Sequence, residues 1–153
     1  MGSYRPLAVL GAVAFALAFG HVEAAVVAYI RLASTGTIDG SIGAGQLMAS
    51  DFPRWIEITR ETATIVMLVG VAAAIGRGIW ERVGFFLLTF ALWDAQYYLS
   101  LRLLTGWPPA LDTTDVYFLI PVPWIGPVWL PLAFDALALG LTSRVWWPRG
   151  RSA

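Results

Sequence analysis

The chain has 153 residues, 58% hydrophobic and only 13% charged, with ten arginines against ten acidic residues, one histidine, no lysine and no cysteine. A soluble domain would carry roughly a quarter charged residues, so lipid is the expected solvent for much of this chain, whose mean hydropathy is +0.70. The balanced charge excludes a basic nucleic-acid face, and the missing cysteines exclude disulfides, thiolate metal sites and iron–sulfur clusters.

The first apolar run, 7–30, is long enough to cross a bilayer and is interrupted only by His21 and Glu23. Arg5 and Val22-Glu23-Ala24 imitate a signal peptide, but the apolar run continues past them, so a retained helix over 7–31 is expected. The Gly- and Ser-rich stretch 35–45 reads as a loop; it lacks the lysine and the strand–helix setting of a phosphate loop. Residues 63–76 are apolar but too short to span. A second helix over 55–76 therefore takes in Glu57, Arg60 and Glu61. A third, 83–104, carries Asp94 at its middle and Arg102 near its end. The last apolar stretch, 116–147, is too long for one helix and holds Pro121, Pro123, Pro127 and Pro131, which break helices. Residues 116–124 are expected to be non-helical, and the fourth helix to run over 126–147 with Pro127 in its first turn. The expected fold is all-α: one transmembrane domain over 1–153, an integral membrane four-helix bundle with a Pro-rich re-entrant or interfacial segment before the last helix.

Arg5, Arg77, Arg82, Arg144, Arg149 and Arg151 fall on one side of these spans. Asp39, Asp51, Asp112 and Asp115 fall on the other, with Arg31, Arg54 and Arg102 at the edges. The positive-inside bias puts both termini in the cytoplasm. Trp55, Trp80, Trp107, Trp124, Trp146 and Trp147 sit near span ends, as an aromatic belt does. Small residues four apart, Gly70 with Ala74 and Ala12 with Ala16, permit close helix contact.

Charges inside a bilayer must be paired, wetted or turned into the protein. At a rise of about 1.5 Å per residue, Glu23 lies roughly 10 Å below the outer end of its helix. Glu57, Arg60 and Glu61 fall in the first two turns of the second helix. Asp94 falls at mid-depth, with Tyr97, Tyr98 and Arg102 above it. Glu57 and Glu61 share a face, and Asp94, Tyr98 and Arg102 line one stripe. A buried cluster of Glu23, Glu57, Arg60, Glu61, Asp94, Tyr97, Tyr98, Arg102 and Asp115 is expected in the outer half of the membrane, with Asp135 closing it from below. His21 and Glu23 are about 200° apart on a helix. Glu23 is therefore assigned to the cluster and His21 to a helix–helix hydrogen bond.

Two readings of the cluster compete. Its charges can pair with one another, Arg60 with Glu57 or Asp94 and Arg102 with Asp115, and fix helix register. Alternatively the surplus of acid binds something. Candidates for a metal are Glu23, Glu57, Glu61 and Asp94, suited to a hard cation on oxygen ligands; the Glu-x-x-His pairs of di-metal bundles are absent. A proton relay or quinone-type site would use a protonated Asp94 with Tyr97 or Tyr98. No catalytic residue and no cofactor is identified; His21 faces away from the acids, so serine-triad chemistry has no support.

The segments Glu23-Ala24…Val27…Tyr29…Arg31, Glu57…Arg60-Glu61…Ala63-Thr64, Trp93-Asp94…Tyr97-Tyr98, Gly106-Trp107-Pro108 and Leu119-Ile120-Pro121-Val122-Pro123-Trp124…Gly126-Pro127 resemble a group of uncharacterised small bacterial four-helix membrane proteins. The resemblance runs from Glu23 to Pro131. It implies a multi-pass protein of the bacterial inner membrane and no particular reaction. The expected function is binding of a cation, proton or small polar ligand. The alternatives are an accessory subunit of a respiratory or photosynthetic complex and a small transporter-like oligomer. Expected partners are the lipid bilayer and other membrane-protein subunits, with no nucleic acid.

Overall fold

The computed structural model describes residues 5–38 and 54–146. Most of the expected loop 35–45, Asp39, Asp51, Trp147, Arg149 and Arg151 lie outside them. The order of elements is α1 (Arg5–Thr35), α2 (Arg54–Ile75), α3 (Ile79–Thr105), β1 (Thr114–Phe118), β2 (Trp124–Pro127) and α4 (Trp129–Trp146). The described residues are thus mainly helical, with one two-stranded sheet among them. Two helices have apolar stretches long enough to cross a membrane, Pro6–Ala33 and Arg54–Ile75, while the apolar part of α4, Trp129–Ser143, is shorter.

The helices are not arranged as four equal staves. Among the described residues α1, α2 and α4 each pack along α3, and none of the three makes a comparably close backbone approach to another. α3 therefore carries most of the core, burying Phe85, Leu88, Ala91, Trp93, Tyr98 and Leu101. Small residues on α1 allow this. Ala12 and Ala16 are buried, and at Gly20 an added Cβ would collide with the Trp93 carbonyl oxygen and come within 2.9 Å of Gln96 Cβ. The other expected small pair is not used in this way: Gly70 and Ala74 are exposed, and nothing lies within 4 Å of a Cβ placed at Gly70. His21 Nδ1 lies 3.2 Å from Ser100 Oγ, which also accepts from Gln96 Nε2 at 2.8 Å, so this histidine ties α1 to α3.

The turn from α2 to α3 is tight. The Gly76 carbonyl accepts from Arg82 Nε at 3.1 Å, and a side chain at Gly76 would strike the Arg82 backbone. α3 ends where Gly106 adopts φ 75° and its N–H returns to the Arg102 carbonyl at 2.9 Å.

The Pro-rich segment departs from expectation in detail. It is non-helical, as its prolines require, but it forms an antiparallel hairpin. Thr114 pairs with Pro127, Asp115 with Gly126, Val116 with Ile125 and Phe118 with Trp124, with a register shift between Val116 and Phe118. Gly126 and Pro127 are therefore in β2 and do not open the last helix, which starts at Trp129 with Pro131 in its first turn. Two contacts hold them there. Tyr117 packs its hydroxyl over Gly126, where no Cβ intervenes, and donates to the Pro127 carbonyl at 2.7 Å. The N–H groups of Val128 and Trp129 bond the carbonyls of Thr113 and Leu111 at 3.0 and 2.8 Å. The bonds Trp107–Pro108 and Ile120–Pro121 are cis. Trp107, expected in an aromatic belt, is only 1% exposed and belongs to the core with Tyr98, Leu101 and Val128.

Candidate functional site

The last turns of α1, the first turns of α2, the second half of α3 and β1 converge at one end of the molecule. They enclose a cavity of about 140 Å³. Its walls include Arg31, Glu57, Arg60, Glu61, Asp94 and Asp115, with Trp93, Tyr97, Tyr98 and Phe118 supplying an aromatic side. The cavity exists because α1 and α2 both lean on α3 without closing on each other.

Seven of the nine expected cluster residues line this cavity: Glu57, Arg60, Glu61, Asp94, Tyr97, Tyr98 and Asp115. Glu23 stands behind the wall at 5% exposure. It forms an ion pair with Arg60 and accepts from Thr64 Oγ1 at 2.8 Å. Arg60 also holds Glu57, through Nε to Oε2 at 3.1 Å and through a second contact from its Nη2. One guanidinium therefore joins α1 to α2 across the gap between them. A planar fork of donors suits this double role, which an ammonium could not fill.

Arg102 is the residue that does not belong. It is exposed, and it donates to the Gly106 carbonyl and, at 2.8 Å, to the Pro108 carbonyl, fastening the start of the α3–β1 connection. Its position in the Asp94–Tyr98 stripe suggested otherwise, but the chain turns at Gly106 and supplies carbonyl acceptors nearby. Asp115, the partner expected for Arg102, instead accepts from the Tyr98 hydroxyl at 2.8 Å. Burial pushes the Asp115 carboxyl up to about 6, against the opposing pull of Tyr98, the Val116 N–H and Arg31. The Tyr117 hydroxyl is raised as well, by burial and by the nearby charges of Asp115 and Asp94.

Glu61 has a different task from its neighbour Glu57. Both its oxygens accept from the Leu119 backbone N–H, at 2.8 and 3.1 Å, so it clamps the hairpin onto α2. A charged acceptor on a lone backbone donor is a strong bond of its kind. No local pattern in the sequence announces it, because donor and acceptor are 58 positions apart.

Three further residues join the site. Arg31 is 2% exposed and sits 4.5 Å over the Trp107 ring, a cation–π contact with an aromatic that is itself buried. Arg54 lines the rim and Thr64 the floor. Both had a signal in the sequence: Arg31 at the end of the first apolar run, and Thr64 among the motif residues of the resemblance. Asp135 is 2% exposed and its carboxyl reaches that of Asp94, closing the site from the α4 side.

The four carboxylates considered for a metal do not share one centre: Glu23 and Glu57 both go to Arg60, Glu61 to the Leu119 N–H, and Asp94 to Asp135. Among the described residues no three acidic or histidine side chains converge as metal ligands. The site as built holds six carboxyls, counting Glu23 and Asp135, against three guanidiniums, with tyrosine hydroxyls and stacked rings between them. Such a surface binds a small polar molecule through charge-assisted hydrogen bonds on one side and ring contacts on the other. No protein-family model, curated protein or solved structure matches this chain.

Proposed function

We propose that this chain is a four-helix, multi-pass protein of the bacterial inner membrane, with both termini cytoplasmic and a binding cavity for a small polar ligand in the outer half of the bilayer. The hairpin β1–β2 forms the extracytoplasmic cap over that cavity. The membrane reading draws on the low charge content, the two long apolar helices and the arginine bias between loops. The resemblance to small bacterial four-helix membrane proteins supports the same location.

The observation that carries the binding reading is the convergence of ionisable side chains from three helices and a strand around one cavity. Groups that only fix helix register would close on one another and leave no space. Here the Asp94 Oδ2 meets no hydrogen-bond donor and the Trp93 Nε1 no acceptor among the described residues, although both residues face the cavity. The surplus of carboxyls favours an occupant with a cationic or hydrogen-bond-donating part. Native mass spectrometry of the full chain from mild detergent is the test. Wild-type protein should retain a small-molecule adduct that Glu57→Gln and Asp115→Asn weaken. Absence of any adduct, or equal retention by all three proteins, would overturn the reading.

A second reading is favoured by the hairpin. Val122, Trp124 and Ile125, in the β1–β2 hairpin, are each more than half exposed. An accessory subunit of a respiratory or photosynthetic assembly would present such a face to a neighbour. Stoichiometric partners in a gentle purification would support it, and a clean single species would count against it.

A further inference from the structure

Asp135 lies in the second turn of α4 and is 2% exposed, yet neither of its oxygens meets an N–H or O–H donor among the described residues. What it faces is another carboxyl, that of Asp94 on α3, within hydrogen-bonding reach. Asp94 is itself 9% exposed, and its Oδ2 also lacks a donor. Two carboxylates pressed together away from water cannot both carry charge at tolerable cost. One proton between them resolves the conflict, since a protonated carboxyl donates and its neighbour accepts.

The surroundings offer no other remedy. On α3, Asp94 is flanked by the Trp93 indole and followed by Tyr97 and Tyr98. From the hairpin it faces Asp115 and Tyr117, an acid and a phenol. On α2, Arg60 is bound to Glu23 and Glu57, and Glu61 to the Leu119 N–H. On α1, Glu23 is held by Arg60 and Thr64, and Arg31 lies over Trp107. Among its described side chains α4 contributes Asp135 alone. No arginine donates to Asp135.

We propose that Asp94 and Asp135 bind one proton between them, and that this pair is a proton-binding site that opens on the cavity through Asp94. Asp94 lines the cavity while Asp135 is sealed behind it, so proton exchange runs through Asp94. Its use during ligand binding rests on the cavity being a binding site; the shared proton does not.

Infrared spectroscopy of the full chain in detergent, at neutral pH where exposed carboxyls are ionised, reads the proton directly. Wild-type protein should keep the carbonyl stretch of a protonated carboxyl. That band should shift when aspartate is carrying a heavy carbon isotope in its carboxyl group, a measurement that needs no variant. Asp94→Asn and Asp135→Asn should each remove or displace it, and Asp112→Asn, at an exposed position, should leave it unchanged. No such band in the wild type, a band insensitive to aspartate labelling, or one unchanged in either variant of the pair would overturn the proposal. Loss of a ligand adduct in mass spectrometry with the band intact would instead strike only the reading of the cavity.

Discussion

Arg60 on α2 forms an ion pair with Glu23 on α1, although these two helices are joined mainly through α3 and keep a cavity between them. The same guanidinium holds Glu57 one turn away. Its position makes it both a wall of the cavity and a strut that keeps the wall in place. Removing it leaves two acids behind in a low-dielectric setting.

Arg60→Met is expected to cost about 3 kcal/mol, the lower end of the penalty for stranding a buried partner, because Arg60 retains 22% exposure. Thermal unfolding in a single detergent measures it. Combining Arg60→Met with Glu23→Gln should recover part of the loss. Strict additivity of the two single changes would mean that the pair contributes nothing as a pair.

Glu61→Ala should release the hairpin without loosening the helices. The bond lost is a charged acceptor on a backbone donor, with a net contribution of about 1.5–3 kcal/mol. Hydrogen exchange at the Leu119 amide should accelerate by an order of magnitude or more while protection across α3 stays as it was. Uniform acceleration through the whole chain would show that Glu61 supports the global fold instead.

Two glycine substitutions should act in opposite directions. At Gly20 a methyl group meets the Trp93 carbonyl, so Gly20→Ala should destabilise by about 1–3 kcal/mol as α1 is pushed off α3. At Gly70 it meets nothing within 4 Å, so Gly70→Ala should stabilise α2 by about 0.5–1 kcal/mol. Melting temperatures of the two variants against wild type decide the matter.

Asp115 makes stability depend on pH in a defined sense. Its folded-state value, about 6, lies above the ordinary carboxylate value, so the folded protein binds this proton more tightly than the unfolded chain does. The contribution is complete below about pH 4 and is lost as pH rises through about 6. The melting temperature of wild-type protein should fall across that window relative to Asp115→Asn. Parallel curves for the two proteins would show that Asp115 titrates alike in both states.

The proposed orientation can be read with single cysteines, since the chain has none of its own. Thr114→Cys in β1 should react with a membrane-impermeant thiol reagent in intact spheroplasts. Gly78→Cys, in the α2–α3 turn, should react only after lysis. The reverse pattern would invert the topology.

Much of this architecture is legible in the amino-acid sequence. Helices α1, α2 and α3 appear within a few residues of their expected ends, because long apolar runs and glycine stops are local properties. Proline placement ruled out a helix over 116–124 for the same reason, a missing backbone donor. It did not reveal the hairpin, whose strands depend on Tyr117 reaching over Gly126 and on cross-strand register.

The candidate site divides along the same line. Which residues are too polar for an apolar setting follows from residue type and helical period, and Glu23, Glu57, Arg60, Glu61, Asp94 and Asp115 do gather at one end. Who binds whom does not follow. Arg102 shares a stripe with Asp94, yet it turns to the carbonyls beyond Gly106. Glu61 takes a backbone donor, and Asp94 meets Asp135 from another helix. Burial is a property that each residue carries through its own hydration cost. Partnership depends on distances between segments far apart in the chain, which exist only once α1, α2 and α4 have settled on α3.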